Sequence, residues 1–470
     1  MVSRRERRDA GAFDNEMIVF CLLVHGMGDY LERRYDHTVQ CSLQQRPAGF
    51  ENCRYTDARD EWRRGLDAVH HRVAIFASGI GRAHCIAKIR FMRAHMDNQI
   101  DTLVVGAGPA GLAVAACLKK MGVTFVIVDR AAAVGSSWRR HYDRLHLHTD
   151  RDHSALPYLP FPAGTPRYPS RQQVIEYLEQ YAQHFELAPH LGQEVLTVRP
   201  GNGGWITTTT VSTYRSRRVV VATGYNCVPY VPRWPGQERF GGLIIHSSEY
   251  RNGEPFRGQS VLVIGFGNSG GEIAIDLHEY GAQVTMAVRG PVNIIPREIL
   301  GLPVLVMSIA LSRLPARFVD ALAAPLVRLS VGDITKLGFR KLPMGPVAQI
   351  KTKARIPLID VGTVKLVRAG RIEVLGGVCE MSKSDVIFDD GRSRCFDAIV
   401  VATGFRPRVD RFLVQQSSVL EAGQLRAAGT EAGLHYCGFI VSPTGMLREI
   451  GIEARRIAED IASGPRYPVI

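Results

Sequence analysis

The sequence predicts an α/β protein made of two βαβ nucleotide-binding units, the second inserted into the first. A strand, glycine turn, helix and second strand occur in that order at Asp101–Arg130 and again at Ser260–Arg289. A buried-strand pattern ending in Ala-Thr-Gly and an aromatic residue also occurs twice, at Arg218–Tyr225 and Ala398–Phe405. Each copy would mark a crossing between the units. The expected division is residues 1–98 as a poorly ordered extension, 99–237 as the first unit, 238–394 as the second unit with an insertion, and 395–470 as the return to the first.

In the first unit an apolar run, Leu103–Val105, leads into Gly106, Gly108 and Gly111, and an apolar-periodic helix follows. Gly106 makes the tight turn, Gly108 lets backbone approach a pyrophosphate, and Gly111 permits close helix–strand packing, with Pro109 and Ala110 completing the turn. The helix N-terminus offers unpaired N–H groups and the positive end of its dipole to that pyrophosphate. Asp129, at the tip of the second strand with Arg130 beside it, is placed to accept a ribose hydroxyl. Gly135 through Trp138 form a loop that can lie across the cofactor, with core packing as the alternative for Trp138. Thr223–Gly224 and Thr403–Gly404 close the two Ala-Thr-Gly turns. Prolines at 157, 160, 162, 166 and 169 exclude regular structure there. Arg171–Phe185 then has the apolar spacing of an amphipathic helix.

The second unit repeats the pattern with Gly265, Gly267 and Gly270, and Asn268 and Ser269 can donate to phosphate. Its second strand ends on Arg289 instead of an acid. A carboxylate would repel a 2′-phosphate, whereas a guanidinium binds one bidentately. The first unit therefore suits FAD and the second NADPH. Between them Phe240, Gly242, His246 and Tyr250 fall in the spacing F-x-G-x(3)-H-x(3)-Y and are expected to form a hinge, because nothing local orients His246 as a base.

Residues 1–98 are Arg-rich and lack a sustained period; they are expected to be ill-ordered upstream sequence, with Met92 or Met96 as the start, an accessory domain being the alternative. The net charge of +13 favours anionic ligands, but it is spread along the chain, which argues against nucleic-acid binding. Nine cysteines at irregular spacing, without a C-x-x-C pair, suggest neither a disulfide framework nor a metal site and fit a reducing, cytoplasmic setting. No apolar run reaches the roughly 18 residues of a membrane span. A homo-oligomer is compatible with the sequence. With two nucleotide units and no redox dithiol, electrons must pass from NADPH to flavin and on to another acceptor, for which dioxygen is the natural choice.

Over about Asp101–Ala462 the chain resembles the flavin-containing monooxygenases, within them the YUCCA-like group. The resemblance rests on GAGPAG, YDRLHLHT with LPFP, YPSRQQVIEYLEQYA, FGGLIIHSSEY, GFGNSGGEIAIDL, GDITKLGFRKLPMGP, PLIDVGTVKLVRAGRIEV and DAIVVATGFRP. It implies that NADPH reduces FAD, that dioxygen adds to the flavin as a C4a-(hydro)peroxide, and that one oxygen enters a small substrate. For the YUCCA-like group it implies oxidative decarboxylation of a 2-oxo acid such as indole-3-pyruvate to indole-3-acetate. N- or S-oxygenation of small amines or sulfides, and an NADPH-dependent flavin oxidoreductase or oxidase, are the alternatives. No catalytic side chain is assigned. Glu298–Gly345 is read as an apolar insertion that covers the substrate entrance or rests on a membrane, with packing on the sheet edge the plainer alternative.

Overall fold

The computed structural model describes residues 99–407, 409–414 and 433–464. The expectations for residues 1–98 and for the chain beyond 464 lie outside the described residues.

The first sheet begins with β1 (Gln99–Val105), α1 (Pro109–Lys120) and β2 (Phe125–Val128). After the Pro-rich loop come α2 (Arg171–His184), the hairpin β3 (Val195–Gly201) and β4 (Gly204–Thr209), and the long β5 (Thr213–Val221). The strand order is β2-β1-β5-β4-β3. Val105 is level with Val128 on one side and Val221 on the other, so three parallel strands end together. Outside such a shared carboxyl edge is where open α/β sheets bind ligands.

α1 is an Ala-rich run opened by Pro109, both favourable to a helix start. Its residues Ala110 through Leu118 are all buried. Each fully buried Leu or Val on it contributes about 1.5–3 kcal/mol. α2 shows the contrasting surface design, since Ser170 and Gln173 form a complete capping box at its start.

The second sheet holds β6 (Leu243–His246), β7 (Ser260–Ile264), β8 (Gln283–Ala287), β9 (Ile372–Leu375) and β10 (Ala398–Val401), with α3 (Asn268–Glu279) between β7 and β8. Its order is β9-β8-β7-β10-β6, all parallel. β10 therefore lies in the second sheet, although the expected division at residue 395 placed it with the first. Its four residues are fully buried and pair with β6 and β7 on both sides, so backbone pairing decides the assignment.

The chain then returns. Phe405–Arg406 pairs antiparallel with Val228–Pro229, so the outward and return crossings form one two-stranded ribbon. β11 (Leu434–Tyr436) rejoins β5 through Val219–Val221, and α6 (Met446–Ser463) packs against α1. The insertion contains α4 (Val304–Ala310) and α5 (Ala316–Val331). No helix among the described residues is long and apolar enough to cross a membrane.

Candidate active site

Both glycine turns have the same internal geometry. Gly106 has φ +114° and Gly265 has φ +118°, where only glycine is unstrained. A Cβ at Gly106 would lie 2.5 Å from the Ala222 carbonyl oxygen, and one at Gly265 would collide with the Ala402 carbonyl. Each Ala-Thr-Gly segment thus runs beside its own glycine turn, which explains why it occurs twice. Gly111 and Gly270 touch the carbonyls of Gly106 and Gly265, as close helix–strand packing requires.

Gly108 and Gly267 differ from these. A Cβ at either would meet nothing within 4 Å. Neither α1 nor α3 has a side-chain cap at its N-terminus, so their first N–H groups face open space. Space and donors together fit two pyrophosphates. Thr223 adds a buried hydroxyl oxygen with no hydrogen-bond partner, beside the first turn. Thr403 is already engaged, since its hydroxyl donates to the Tyr230 carbonyl.

Asp129 is half-buried at the end of β2. Its two oxygens accept the N–H groups of Ala107 (2.6 Å) and Ala131 (2.8 Å), which fixes the carboxylate against the turn. Arg130 is exposed next to it. Gly135 is left-handed (φ +65°), donates its N–H to the Ala107 carbonyl and starts the short helix carrying Trp138. Trp138 packs on the first core and also lines the cavity.

That cavity has a volume of about 560 Å³. Gly106, Gly108, Pro109, Ala110, Asp129, Arg130, Trp138, Thr223 and Gly224 from the first unit line it, together with Asn268 and Ser269 from the second. Asn268 is anchored through its side-chain oxygen, which accepts the Ile359 N–H at 2.8 Å. Gly265, Gly267, Gly270, Arg289, Thr403 and Gly404 lie outside the cavity wall, around the second turn and crossing. Arg289 is exposed just beyond β8, and the Arg340 guanidinium donates to its carbonyl. Arg340, 51 residues away, is a second cation at this corner that periodicity did not reveal.

The linker residues pack as a structural joint. His246 is 3% exposed. Its Nδ1 accepts the Ser248 N–H (3.1 Å), so Nε2–H donates to the Gly404 carbonyl (3.1 Å), tying β6 to the return crossing. Burial lowers its pKa, which keeps it neutral. Tyr250 is 1% exposed and donates to Asp276 of α3 at 2.6 Å. Phe240 packs beneath the second sheet, and Gly242 fits where a Cβ would strike the Asp397 carbonyl.

Two groups, His148 and His141, were missed in the sequence because what surrounds them comes from far along the chain. His148 lines the cavity and contacts Glu272 of α3, joining the units across a largely buried pair. His141, also on the cavity wall, is pushed down to about 4 by burial and then by Arg140, Arg171 and Arg251. The insertion contributes Leu305, Met307, Leu311, Val319 and Ala323, which makes the far end of the cavity apolar.

Two nucleotide turns beside one apolar cavity define a two-nucleotide redox enzyme. The family model for pyridine nucleotide-disulphide oxidoreductases matches residues 103–296. The indole-3-pyruvate monooxygenase YUCCA6 of Arabidopsis thaliana is 38% identical over 76% of this chain and 89% of its own length. The indole-3-pyruvate monooxygenase YUCCA1 of Oryza sativa subsp. japonica is 41% identical over 66% of this chain and 78% of its own. Among solved structures, a flavin-containing monooxygenase from Stenotrophomonas maltophilia shares the fold with a TM-score of 0.59 at 23% identity, covering 77% of this chain and 98% of that one. The chain belongs to the flavin-containing monooxygenase family, in its YUCCA-like group, and is an oxidoreductase that works with FAD and NADPH.

Proposed function

We propose that this enzyme oxidatively decarboxylates a 2-oxo acid of the indole-3-pyruvate type, yielding the acid one carbon shorter. One turnover consumes the 2-oxo acid, NADPH, a proton and O2, and releases the shortened acid, CO2, NADP+ and water. The observation that carries the reading is the apolar cavity running from the first nucleotide turn to the insertion helices, in a chain whose relatives bear that substrate in their names.

Bound FAD, reduced by NADPH, supplies the oxygen-activating chemistry. The protein's part is to hold and to exclude. In this reading the turn Gly106–Gly111, Asp129, Arg130, Thr223 and Gly224 hold FAD, with Gly135 and Trp138 closing over it. Gly265–Gly270 and Arg289, with Arg340 beside it, hold NADPH, and Thr403–Gly404 shape that edge. Leu305, Met307 and Leu311 keep water from the cavity, where low polarity strengthens every polar contact made there. His246 and Tyr250 fix the angle between the units and move no proton. A cytoplasmic setting, on the irregular cysteine spacing, belongs to the same proposal.

Turnover of indole-3-pyruvate under 18O2 with catalase present tests this. One labelled oxygen in each indole-3-acetate carboxylate is expected. Unlabelled acetate would mean that the acid arises without oxygen insertion and would refute the reading.

A further inference from the structure

We propose that Arg297 binds the carboxylate of the substrate. This rests on the 2-oxo acid reading above and assigns to one side chain the anion recognition that such a substrate needs.

Arg297 follows the short strand Ile294–Pro296, and its carbonyl accepts the Val304 N–H (3.0 Å) at the start of α4. It is half-buried and lines the cavity next to the apolar insertion. Its guanidinium carbon sits 4.0 Å from the centroid of the Tyr168 ring, a cation–π seat that orients the group without using its N–H donors. The neighbouring acid is committed elsewhere. Glu298 accepts from the Tyr168 hydroxyl (2.7 Å) and from Arg167 (3.2 Å). Arg167 also donates to the Gly301 carbonyl at 2.9 Å, which ties the Pro-rich loop to the insertion. Among the described residues, no hydrogen bond or ion pair engages the Arg297 guanidinium; the adjacent Glu298 carboxylate feels its charge, held lower first by Tyr168 and then by Arg167 and Arg297.

The other arginines of the cavity are less suited. Arg130 lies 4.0 Å from Glu194 at the first turn, and Arg140 and Arg411 are exposed. Arg297 alone combines partial burial, a stacked plane, unused donors and apolar neighbours. A planar, partly desolvated guanidinium with free donors suits a carboxylate bound through two parallel hydrogen bonds. The apolar wall beside it would receive the rest of the molecule, so charge and bulk are read side by side.

The test compares indole-3-lactate, which keeps the substrate's own carboxylate beside a 2-hydroxy carbon, with its neutral counterpart indole-3-lactamide, titrated into FAD-loaded wild type, Arg297→Gln and Arg297→Lys by calorimetry. Wild type is expected to bind the lactate about tenfold or more tightly than the amide, the scale of one charge-assisted contact. Arg297→Gln should bring the lactate down to the amide's affinity and leave the amide unchanged, while Arg297→Lys keeps part of the preference. An Arg297→Gln protein that still prefers the lactate as wild type does, or a wild type with no preference, overturns the proposal. The same proteins are assayed with indole-3-pyruvate. A KM raised about tenfold in Arg297→Gln, with NADPH-driven flavin reduction unchanged, supports the assignment; an unchanged KM overturns it and leaves the 2-oxo acid reading standing. If wild type discriminates lactate from amide through Arg297 yet converts no 2-oxo acid, the site stands and the substrate reading falls.

Discussion

Gly106 and Gly108 stand two positions apart and meet different demands. At Gly106 a side chain would have to adopt φ +114° with its Cβ 2.5 Å from a backbone oxygen, a strain of about 1–3 kcal/mol before any contact is counted. At Gly108 the backbone is ordinary and the space above it is open. Gly106→Ala should therefore lower the melting temperature even of FAD-stripped protein. Gly108→Ala should leave that temperature unchanged and weaken FAD binding by about tenfold or more. Equal loss of stability in both variants would show that Gly108 serves the fold and not the cofactor. Arg289 is tested in the same way. Arg289→Ala should raise the KM for NADPH by about 10–100-fold, the range of a lost charge-assisted contact, with little change for NADH. Equal effects on both coenzymes would remove it from 2′-phosphate recognition.

At the scale of elements, α6 carries a half-buried acid with a measurable consequence. Glu453 accepts the Gly438 N–H at 2.9 Å, yet burial, aided by Glu449, raises its pKa from 4.5 to about 7. Its folded form holds a proton more tightly than the unfolded chain. Its contribution is therefore complete below about pH 4.5 and is lost as pH rises to about 7, by roughly 3 kcal/mol. Glu453→Gln, which can still accept the Gly438 N–H, should flatten that slope and be the more stable protein at pH 8. Urea melts at pH 5 and pH 8 decide it; a wild-type slope retained in the variant would place the titrating group elsewhere. The joint between the units makes a second prediction. Tyr250→Phe deprives buried Asp276 of its 2.6 Å donor and should destabilise by about 1–3 kcal/mol, seen as an earlier urea midpoint with an unchanged slope.

Across the whole molecule, legibility followed sequence separation. The two glycine turns and the residues ending their second strands could be read because each lies within one stretch of about 30 residues whose spacing carries the geometry. The capping box of α2 is equally local. β10 was misplaced because a buried apolar strand does not say which sheet it joins; only its pairing with β6 and β7 does. The same limit hid the His148–Glu272 contact, 124 residues apart, and the Arg297–Tyr168 stack, in which an arginine meets a tyrosine from a Pro-rich loop. The insertion could be read as apolar and as a cover for the substrate entrance, but which of its side chains line the cavity is visible only in the fold.

In the proposed reaction the two nucleotide units and the cavity beside them couple NADPH oxidation to oxygen insertion into a 2-oxo acid. The most direct measurement is a stoichiometry. NADPH consumed, indole-3-acetate formed and hydrogen peroxide released are followed together in FAD-loaded enzyme with indole-3-pyruvate, with and without catalase. Near-equal NADPH and acetate, little peroxide and no effect of catalase are predicted. NADPH consumption that yields peroxide, with acetate vanishing when catalase is added, would contradict the account.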